Sequence, residues 1–414
     1  MTTKPSVIFV LITALSLPGH AWAADPVDAA PGDLGLGTLL EKAVDRAPDA
    51  ALNDAYKAES RALNRRAGSW LGDAPSASVS ASSDQPTDGD GAREYEAGVE
   101  LPLPRMGESD AWSALSSAVK TQAGARFKAL RWRLAGKVRE AVWSLSLAES
   151  ELDQAQQMLE SARRLESDVS RRVEAGDLPD DALLLARQEV SSLSTEVEKA
   201  RRSVSDATVR LEKLTGMGRL PSSPQETKSS QESVPSDHPL LRLASAQVKR
   251  AQQKREVTRI QGAGNNTLSL GARRNRGSRR EDFGNEVFVG LKVPFGTASH
   301  QAPEQAKAER AYTENRVRQQ RRLRELKRSR RESDARLATL QRELEHSKQS
   351  LELAESYYQS RRRAFELGEI DVMDLIRSRQ RVAQARTLHE RKRLQRGREI
   401  ARYNQAVGEI PDES

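Results

Sequence analysis

The chain has 414 residues, a formal net charge of +8 and no cysteine; 37% of its residues are hydrophobic, 4% are aromatic and 30% are charged. This composition excludes a bundle of transmembrane helices, since no stretch of ~20 apolar residues exists, and it excludes disulfides, thiolate metal sites and a cysteine nucleophile. The many Ala, Leu, Glu, Lys, Arg, Gln and Ser residues are typical of long helices, and large apolar side chains are too few for an ordinary globular enzyme.

The N-terminus has the pattern of a secretory signal peptide. Lys4 supplies a positive charge, an apolar run follows over 7–17, and a small-x-small sequence at 21–23 ends the segment. The run is too short to span a bilayer as a helix. We therefore predict that residues 1–23 are a signal peptide, cleaved between Ala23 and Ala24. An exported protein meets no chromosome, so the basic charge does not indicate a nucleic-acid partner.

The rest of the chain contains an internal repeat. The run RRVEAGDL at 171–178 matches RAFELGEI at 363–370, and at the same offset Leu183 matches Leu375. A stretch rich in Ser, Pro, Gln and Glu separates the two copies and is typical of a linker. The predicted organisation is a first repeat at 24–220, a linker at 221–236 and a second repeat at 237–414.

Each repeat is predicted to contain a helix, two strands and two long helices, in that order. The long helices carry apolar residues, many of them alanine, in alternating steps of four and three, as in helices that pack along a coiled-coil seam. A tight turn joins the two long helices of each repeat. The predicted elements are 34–70, 76–82, 95–103, 108–174 and 180–215 in the first repeat, and 237–262, 267–274, 286–294, 301–366 and 371–407 in the second.

The predicted strands alternate between apolar and polar side chains. Tyr95, Val99 and Leu101 fall on one face of their strand, and Glu94 and Glu96 fall on the other. A half-buried sheet of a soluble protein has this period, and so do segments of about 9–11 residues that cross a bilayer in a β-barrel. Four strands cannot close a barrel, and lipid tolerates no open sheet edge. The membrane interpretation therefore requires several chains to share one barrel.

This ordered layout resembles the TolC-like family of outer-membrane efflux proteins. The resemblance covers nearly the whole mature chain and includes the turn motifs AGDLP at 175–179 and LGEID at 367–371, with strand exits at Pro104 and Pro294. It implies a mainly α fold with a small β part. Long coiled-coil hairpins would form a periplasmic tunnel, and four strands per chain would contribute to a shared trimeric β-barrel in the outer membrane.

The resemblance also implies a function, namely the outer-membrane channel of a tripartite efflux or export system. Such a channel is a passive duct without enzymatic activity or cofactor, and it extends from the outer membrane of a Gram-negative cell into the periplasm. The implied partners are two further copies of the chain in a homotrimer, outer-membrane lipid, a periplasmic adaptor of the membrane-fusion type and an inner-membrane pump. The resistance-nodulation-division type is one candidate for that pump.

Two other classes of protein remain open at the level of the sequence. A periplasmic coiled-coil adaptor or scaffold would carry one hairpin between β-rich, lipoyl-like halves, whereas two hairpins are predicted here. A soluble exported enzyme with helical arms would need a catalytic constellation, and the sequence shows none. The histidines at 238, 300, 346 and 389 also lack the spacing of metal ligands.

The tight turns between the long helices are the first candidate site. Gly176 and Gly368 are predicted to adopt the left-handed backbone that closes a helix end, and turn chemistry alone would explain them. By the family resemblance, these turns form the periplasmic tip that the adaptor contacts. The candidate contact residues are Val173, Gly176, Leu178, Phe365, Gly368 and Ile370.

Acidic residues follow both turns and are the second candidate site. Acids in a first helical turn often only complement the helix dipole, but threefold symmetry would make one inward Asp into a ring of three that attracts cations and gates a pore. We predict Asp371, Asp374 and Asp181 as pore or gate residues. Asp374 is preferred, because Arg377 stands where the family commonly has an acid.

Basic residues cluster at 316–331 and again at 391–398. A solvated helix face is the ordinary interpretation of such runs. The alternative is that they line a tunnel for anionic cargo.

Overall fold

A computed structural model describes residues 34–84, 89–262, 264–295 and 298–411. The predicted signal peptide, with its cleavage site at Ala23 and Ala24, lies outside the described residues. The helices are α1 (Leu36–Asp45), α2 (Leu52–Ala67), α3 (Glu108–Glu174), α4 (Asp180–Thr215), α5 (Pro239–Gln261), α6 (Ala298–Glu366) and α7 (Val372–Val407). The strands are β1 (Ser76–Ser83), β2 (Arg93–Leu103), β3 (Asn266–Arg276) and β4 (Gly284–Lys292).

The prediction of a single helix at 34–70 is wrong. The structure has α1 and α2 there, separated by a 3₁₀ turn at Pro48–Ala51. Ala47 has an extended backbone with ψ 118°, because the proline ring clashes with a helical residue directly before it. The other predicted helices and strands are confirmed, with ends that differ by a few residues.

The four strands form one antiparallel sheet in the order β1-β2-β3-β4. β2 and β3 belong to different predicted repeats and pair along their whole length, with Val99 opposite Leu270. Successive side chains alternate between the two faces, so one face is apolar and the other polar. Phe288 is the exception on the polar face; its ring covers Gly271, where an added Cβ would clash with a ring carbon. β1 and β4 are edges, each with one strand partner among the described residues.

The long helices pack as two hairpins, α3 with α4 and α6 with α7, and α3 also contacts α7. The predicted seam is buried: Leu134, Val138 and Leu145 are 6%, 1% and 0% exposed. Burial of a leucine contributes ~1.5–3 kcal/mol relative to exposure. With 67 residues, α3 is about 100 Å long at ~1.5 Å per residue. No helix in the described part of the chain is long and apolar enough to cross a membrane.

The predicted linker at 221–236 contains neither helix nor strand, yet polar contacts fix it against α7. The backbone N–H of Ser229 donates to Asn404 Oδ1 at 2.9 Å, and Asn404 Nδ2 donates to Thr227 O at 2.9 Å. The hydroxyl of Tyr403 donates to Gln231 O at 2.6 Å. Because Asn404 is only 1% exposed, these bonds satisfy amide groups that would be costly to bury alone.

Candidate functional site

The turn between α3 and α4 ends α3 with a Schellman motif. The N–H of Gly176 donates to Val173 O at 3.0 Å, and the N–H of Asp177 donates to Arg172 O at 2.8 Å. Gly176 has a φ of +81°, a left-handed conformation that favours glycine because it has no Cβ.

The turn between α6 and α7 has the same geometry. The N–H of Gly368 donates to Phe365 O at 3.1 Å, and the N–H of Glu369 donates to Ala364 O at 2.8 Å. The φ of Gly368 is +76°. The predicted left-handed turns are therefore confirmed at both positions, and the two hairpins end in the same way.

Apolar side chains join the two turns in one cluster, which we call the tip cluster. Phe365 belongs to this cluster: its side chain is 5% exposed, and the guanidinium of Arg172 lies 4.7 Å from its ring centroid. The tip cluster therefore holds the two hairpins of one chain together at their ends. Its members are Val169, Ala182, Ala186, Phe365, Val372, Leu375 and Ile376, with Leu165, Val173, Leu178, Leu183, Leu185, Tyr358 and Ile370 packed against them.

The candidate contact residues differ in how much surface they present. Gly176 and Gly368 are exposed; Val173, Leu178 and Ile370 are half-buried, and Phe365 is buried. Leu367 and Leu184 were not predicted as contact residues, although their apolar side chains are 75% and 64% exposed close to the turns. The signal for Leu367 was its place in the second turn motif, at the position that Ala175 holds in the first.

The three candidate gate residues lie in or beside the first turns of α4 and α7. Asp371 is the N-cap of α7, and its Oδ1 accepts the backbone N–H of Asp374 at 2.7 Å. The carboxylate of Asp374 is 47% exposed and lies 3.6 Å from Arg377 Nη1. Asp181 is exposed in the first turn of α4. Asp371 therefore caps the N-terminus of α7, whereas the carboxylates of Asp374 and Asp181 are exposed to solvent near the tip.

A polar bridge links the hairpins a few turns from the tip. Nη2 of Arg379 lies 3.4 Å from Glu189 Oε1, and Nε2 of Gln380 donates to the same carboxylate at 3.2 Å. Burial lowers the pKa of Arg379, and the charge of Glu189 acts in the opposite direction. A groove of about 400 Å³ borders this bridge, lined also by Met158, Leu193 and Tyr358. Nothing in the sequence indicated this bridge beyond the repeat itself, in which Arg379 matches Arg187 at the same offset as Leu375 and Leu183.

The apolar face of the sheet is open to its surroundings. Val79, Val287 and Val289 are 86%, 85% and 71% exposed. We call this surface the apolar band; its exposed members are Val79, Tyr95, Val99, Leu270, Val287, Val289 and Leu291. Contiguous exposed apolar surface of this kind marks contact with a membrane or with another protein.

Large apolar side chains also surround the junctions between the strands and the helices. Trp70 before β1, Met106 after β2 and Phe295 after β4 are 68%, 100% and 93% exposed. The opposite face of the sheet is charged: Arg273 lies 2.8 Å from Glu94 and 3.1 Å from Glu96. The two faces of one sheet therefore match two different environments.

Solved structures of membrane proteins match this chain over most of its length. CusC, whose crystal structures concern the conformational changes that accompany folding and transmembrane channel formation, matches with a TM-score of 0.72. The identity is 17% over 90% of this chain and 92% of that chain. The outer membrane protein VceC of Vibrio cholerae has a TM-score of 0.71 and 15% identity over 90% and 96%. The MtrE outer membrane channel of Neisseria gonorrhoeae, in its open state, has a TM-score of 0.63 and 17% identity over 92% and 92%. The chain has the fold of the TolC-like outer-membrane channels.

The predicted fold class, mainly α with long helical hairpins and a small β part, is confirmed by this TolC-like fold. No protein-family model and no curated protein matches the sequence. Among the described residues, no group of three or more His, Asp or Glu side chains could hold a metal ion.

The two basic clusters of this TolC-like fold are arranged differently. On α6, Arg318 and Arg322 pair with Glu314 and Glu325 of the same helix, and the side chains are exposed. On α7, in contrast, basic residues reach neighbouring helices. Arg391 lies 2.9 Å from Glu151, Lys392 lies 2.7 Å from Glu343, and Arg398 pairs with Glu140. Part of the second cluster therefore fastens α7 to α3 and α6.

Proposed function

We propose that the chain is the outer-membrane channel of a tripartite efflux or export system. It acts as a passive duct rather than an enzyme, and energy comes from an inner-membrane pump that a periplasmic adaptor connects to the channel. The signal peptide at 1–23, the repeats at 24–220 and 237–414 and the linker at 221–236 are part of this proposal.

The observation that carries the proposal is the combination of the apolar band with two sheet edges. A four-stranded sheet cannot close on itself, and unpaired edges are not tolerated in lipid. If β4 of one chain pairs with β1 of the next, three chains complete an antiparallel barrel whose apolar band faces outward. The charged face with Arg273, Glu94 and Glu96 then lines the interior, as in barrels with a polar lumen.

The exposed residues at the strand–helix junctions support the same placement. Aromatic side chains prefer the level where a bilayer meets water. Trp70, before β1, and Phe295, after β4, lie at the end of the apolar band next to the helices. Tyr95 and Phe283 lie toward the other end, with ring centroids 6.3 Å apart. We infer that the two levels mark the two interfaces of the outer membrane, with the hairpin loops outside the cell and the helices in the periplasm.

The helical part supplies the periplasmic duct in this proposal. Each chain contributes two hairpins, and the trimer would carry six of them in a tunnel roughly as long as α3. At its narrow end the turns at Gly176 and Gly368 meet the adaptor, through Val173, Leu178, Ile370 and the exposed side chain of Leu367. Three copies each of Asp374, Asp371 and Asp181 surround the opening and favour cations.

The adaptor alternative accounts for less of the molecule. An adaptor would place one hairpin between β-rich halves, but the described residues contain two hairpins and a single four-stranded sheet. A soluble adaptor would also expose the apolar band to water, which is unfavourable for a large apolar surface.

Membrane fractionation and conductance test the proposal together. The mature chain should partition with outer membranes, run as a trimer in detergent and form pores in a planar bilayer. Replacement of Val287 and Val289 by Asp should abolish membrane partition. The matched control replaces Glu94 and Glu96 by Gln on the other face of the sheet and should preserve membrane partition. A wild-type chain that stays soluble and monomeric without detergent would refute the channel function.

A further inference from the structure

Three arginines lie on the apolar face of the sheet, at the end farthest from the helices. Arg93 of β2 and Arg276 of β3 are direct partners in the strand register, and Arg274 is opposite Tyr95. Directly opposed residues lie on the same face of an antiparallel pair. The three arginines, which we call the rim arginines, therefore share the face of Val99 and continue the apolar band toward the hairpin loops.

An aromatic ring orders two of the rim arginines. The guanidinium groups of Arg274 and Arg276 lie 4.7 and 4.8 Å from the ring centroid of Phe283. Arg276 also donates from Nε to Gly91 O at 3.1 Å. Stacking on a ring holds a planar guanidinium in place and leaves N–H donors at its edge. The ring therefore holds the two guanidinium groups close together, where both can bind the same anion.

No carboxylate of the described residues forms an ion pair with this cluster. None of the rim arginines forms an ion pair within the described part of the chain, whereas Arg273 on the other face has two acidic partners. Two acids of the hairpin loops are engaged by backbone: Asp84 Oδ2 accepts Gly91 N–H at 2.8 Å, and Glu281 Oε2 accepts Gly277 N–H at 3.0 Å. Like charges directly opposite each other destabilise a strand pair, so the Arg93–Arg276 pairing favours a bound anion.

We propose that the rim arginines bind the phosphate groups of a phosphorylated glycolipid in the outer leaflet of the outer membrane. The inference rests on the proposed function, which embeds the apolar band in the bilayer and puts Arg93, Arg274 and Arg276 at the level of the lipid head groups. The fork of an arginine matches phosphate oxygens in a two-pronged contact. Basic clusters beside a membrane-embedded surface bind anionic head groups in the same way.

The test measures glycolipid binding by the full-length trimer in lipid nanodiscs. The lipid-face variant carries Arg274→Gln and Arg276→Gln. Its matched control carries Arg164→Gln and Arg202→Gln, which removes two charges from exposed positions on α3 and α4, outside the sheet. Each protein is titrated with lipid A, with lipid A from which both phosphates have been removed, and with inorganic phosphate as a competitor. Pore formation in bilayers of neutral phospholipid is recorded in parallel.

The expected result is at least about tenfold weaker binding of phosphorylated lipid A by the lipid-face variant, with wild-type binding by the control and unchanged pore formation in both. Equal wild-type affinity for the phosphorylated and dephosphorylated lipid, or equal losses in the two variants, would overturn the glycolipid site while leaving the channel intact. Full displacement by millimolar inorganic phosphate would assign the site to free phosphate and also overturn the proposal. A wild-type chain that forms no pore would overturn the proposed function, and this inference with it.

Discussion

Arg139 on α3 and Glu226 in the segment between the two repeats form a two-pronged ion pair, with N···O distances of 2.8 and 2.6 Å. The side chains are only 4% and 14% exposed. Nη1 of Arg139 also donates to Gln405 Oε1 at 2.6 Å and to Glu409 O at 3.0 Å. One buried arginine thus ties the linker to α3 and to the C-terminal end of α7.

We expect Glu226→Gln to destabilise the protein by about 3–5 kcal/mol, because it leaves the charge of Arg139 buried without a counter-charge. Thermal unfolding followed by circular dichroism measures the effect as a lowered midpoint. The matched control is Glu196→Gln, which breaks the ion pair of Glu196 with Lys199. The Lys199 and Glu196 side chains are 66% and 54% exposed. That loss should stay below about 1 kcal/mol. Equal shifts in the two variants would contradict a structural role for the buried pair.

The two tip turns should respond alike to loss of their glycine. Gly176→Ala and Gly368→Ala each place a Cβ in a left-handed backbone, and we expect about 1–2 kcal/mol of destabilisation. Gly124, inside α3, has nothing within 4 Å of an added Cβ. Gly124→Ala should therefore stabilise the helix by about 0.5–1 kcal/mol. Unfolding midpoints of the three variants test the contrast in sign; a stabilising Gly368→Ala would contradict the turn geometry.

The sequence predicted the long helices and the strands because their periods of 3.6 and 2 residues extend over many residues. The helix break at Pro48 was not predicted, although a proline disfavours a helical backbone at the residue before it. The ion pair of Arg139 and Glu226 could not be predicted, because the two residues are distant in sequence and the linker composition resembles that of a flexible segment. Only the packed helices show that the linker is fixed.

The candidate site was predictable as far as local geometry determines it. The left-handed backbone of Gly176 and Gly368 follows from the turn motif, and the N-cap role of Asp371 follows from its place before α7. The burial of Phe365 depends on the second hairpin packing against the first, which no local pattern encodes. For the same reason, the alternation of β2 predicted an apolar face but not the alignment of Arg93 with Arg276.

His238 should make stability depend on pH. Burial is the main cause that lowers its pKa from 6.5 to about 4, its Nδ1 accepts Leu240 N–H at 3.1 Å, and its ring lies 5.2 Å from Trp132. Because the unfolded chain binds the proton more readily, the stability is full above pH 6.5 and is lost as pH falls toward 4. Thermal midpoints across this range measure the loss. His238→Asn keeps a capping acceptor and should flatten the difference between pH 7 and pH 5; an unchanged pH profile would contradict the assignment.

The exposed and the buried residues of the tip should have separable effects. Leu367→Ser removes an exposed apolar side chain and is expected to weaken binding of the purified periplasmic adaptor by about tenfold, as for an interface anchor, with an unchanged unfolding midpoint. Phe365→Ala opens a cavity in the tip cluster and should cost about 3–5 kcal/mol of stability. Leu353→Ser is the matched control, because Leu353 is 73% exposed on α6 away from the turn. Equal losses of adaptor binding in Leu367→Ser and Leu353→Ser would exclude the tip as the contact.

The charge of Asp374 should determine part of the ion preference of the pore. Its carboxylate is half exposed, and Arg377, 3.6 Å away, offsets part of its field. In a trimer the three copies add, so Asp374→Asn should lower the ratio of cation to anion permeability by about twofold or more, and Arg377→Gln should raise it. Reversal potentials across a KCl gradient in a planar bilayer give both ratios. The opposite changes expected in the two variants are the control, because damage to the pore would not raise cation selectivity in one variant and lower it in the other. Identical reversal potentials in the wild type and both variants would place Asp374 away from the ion path.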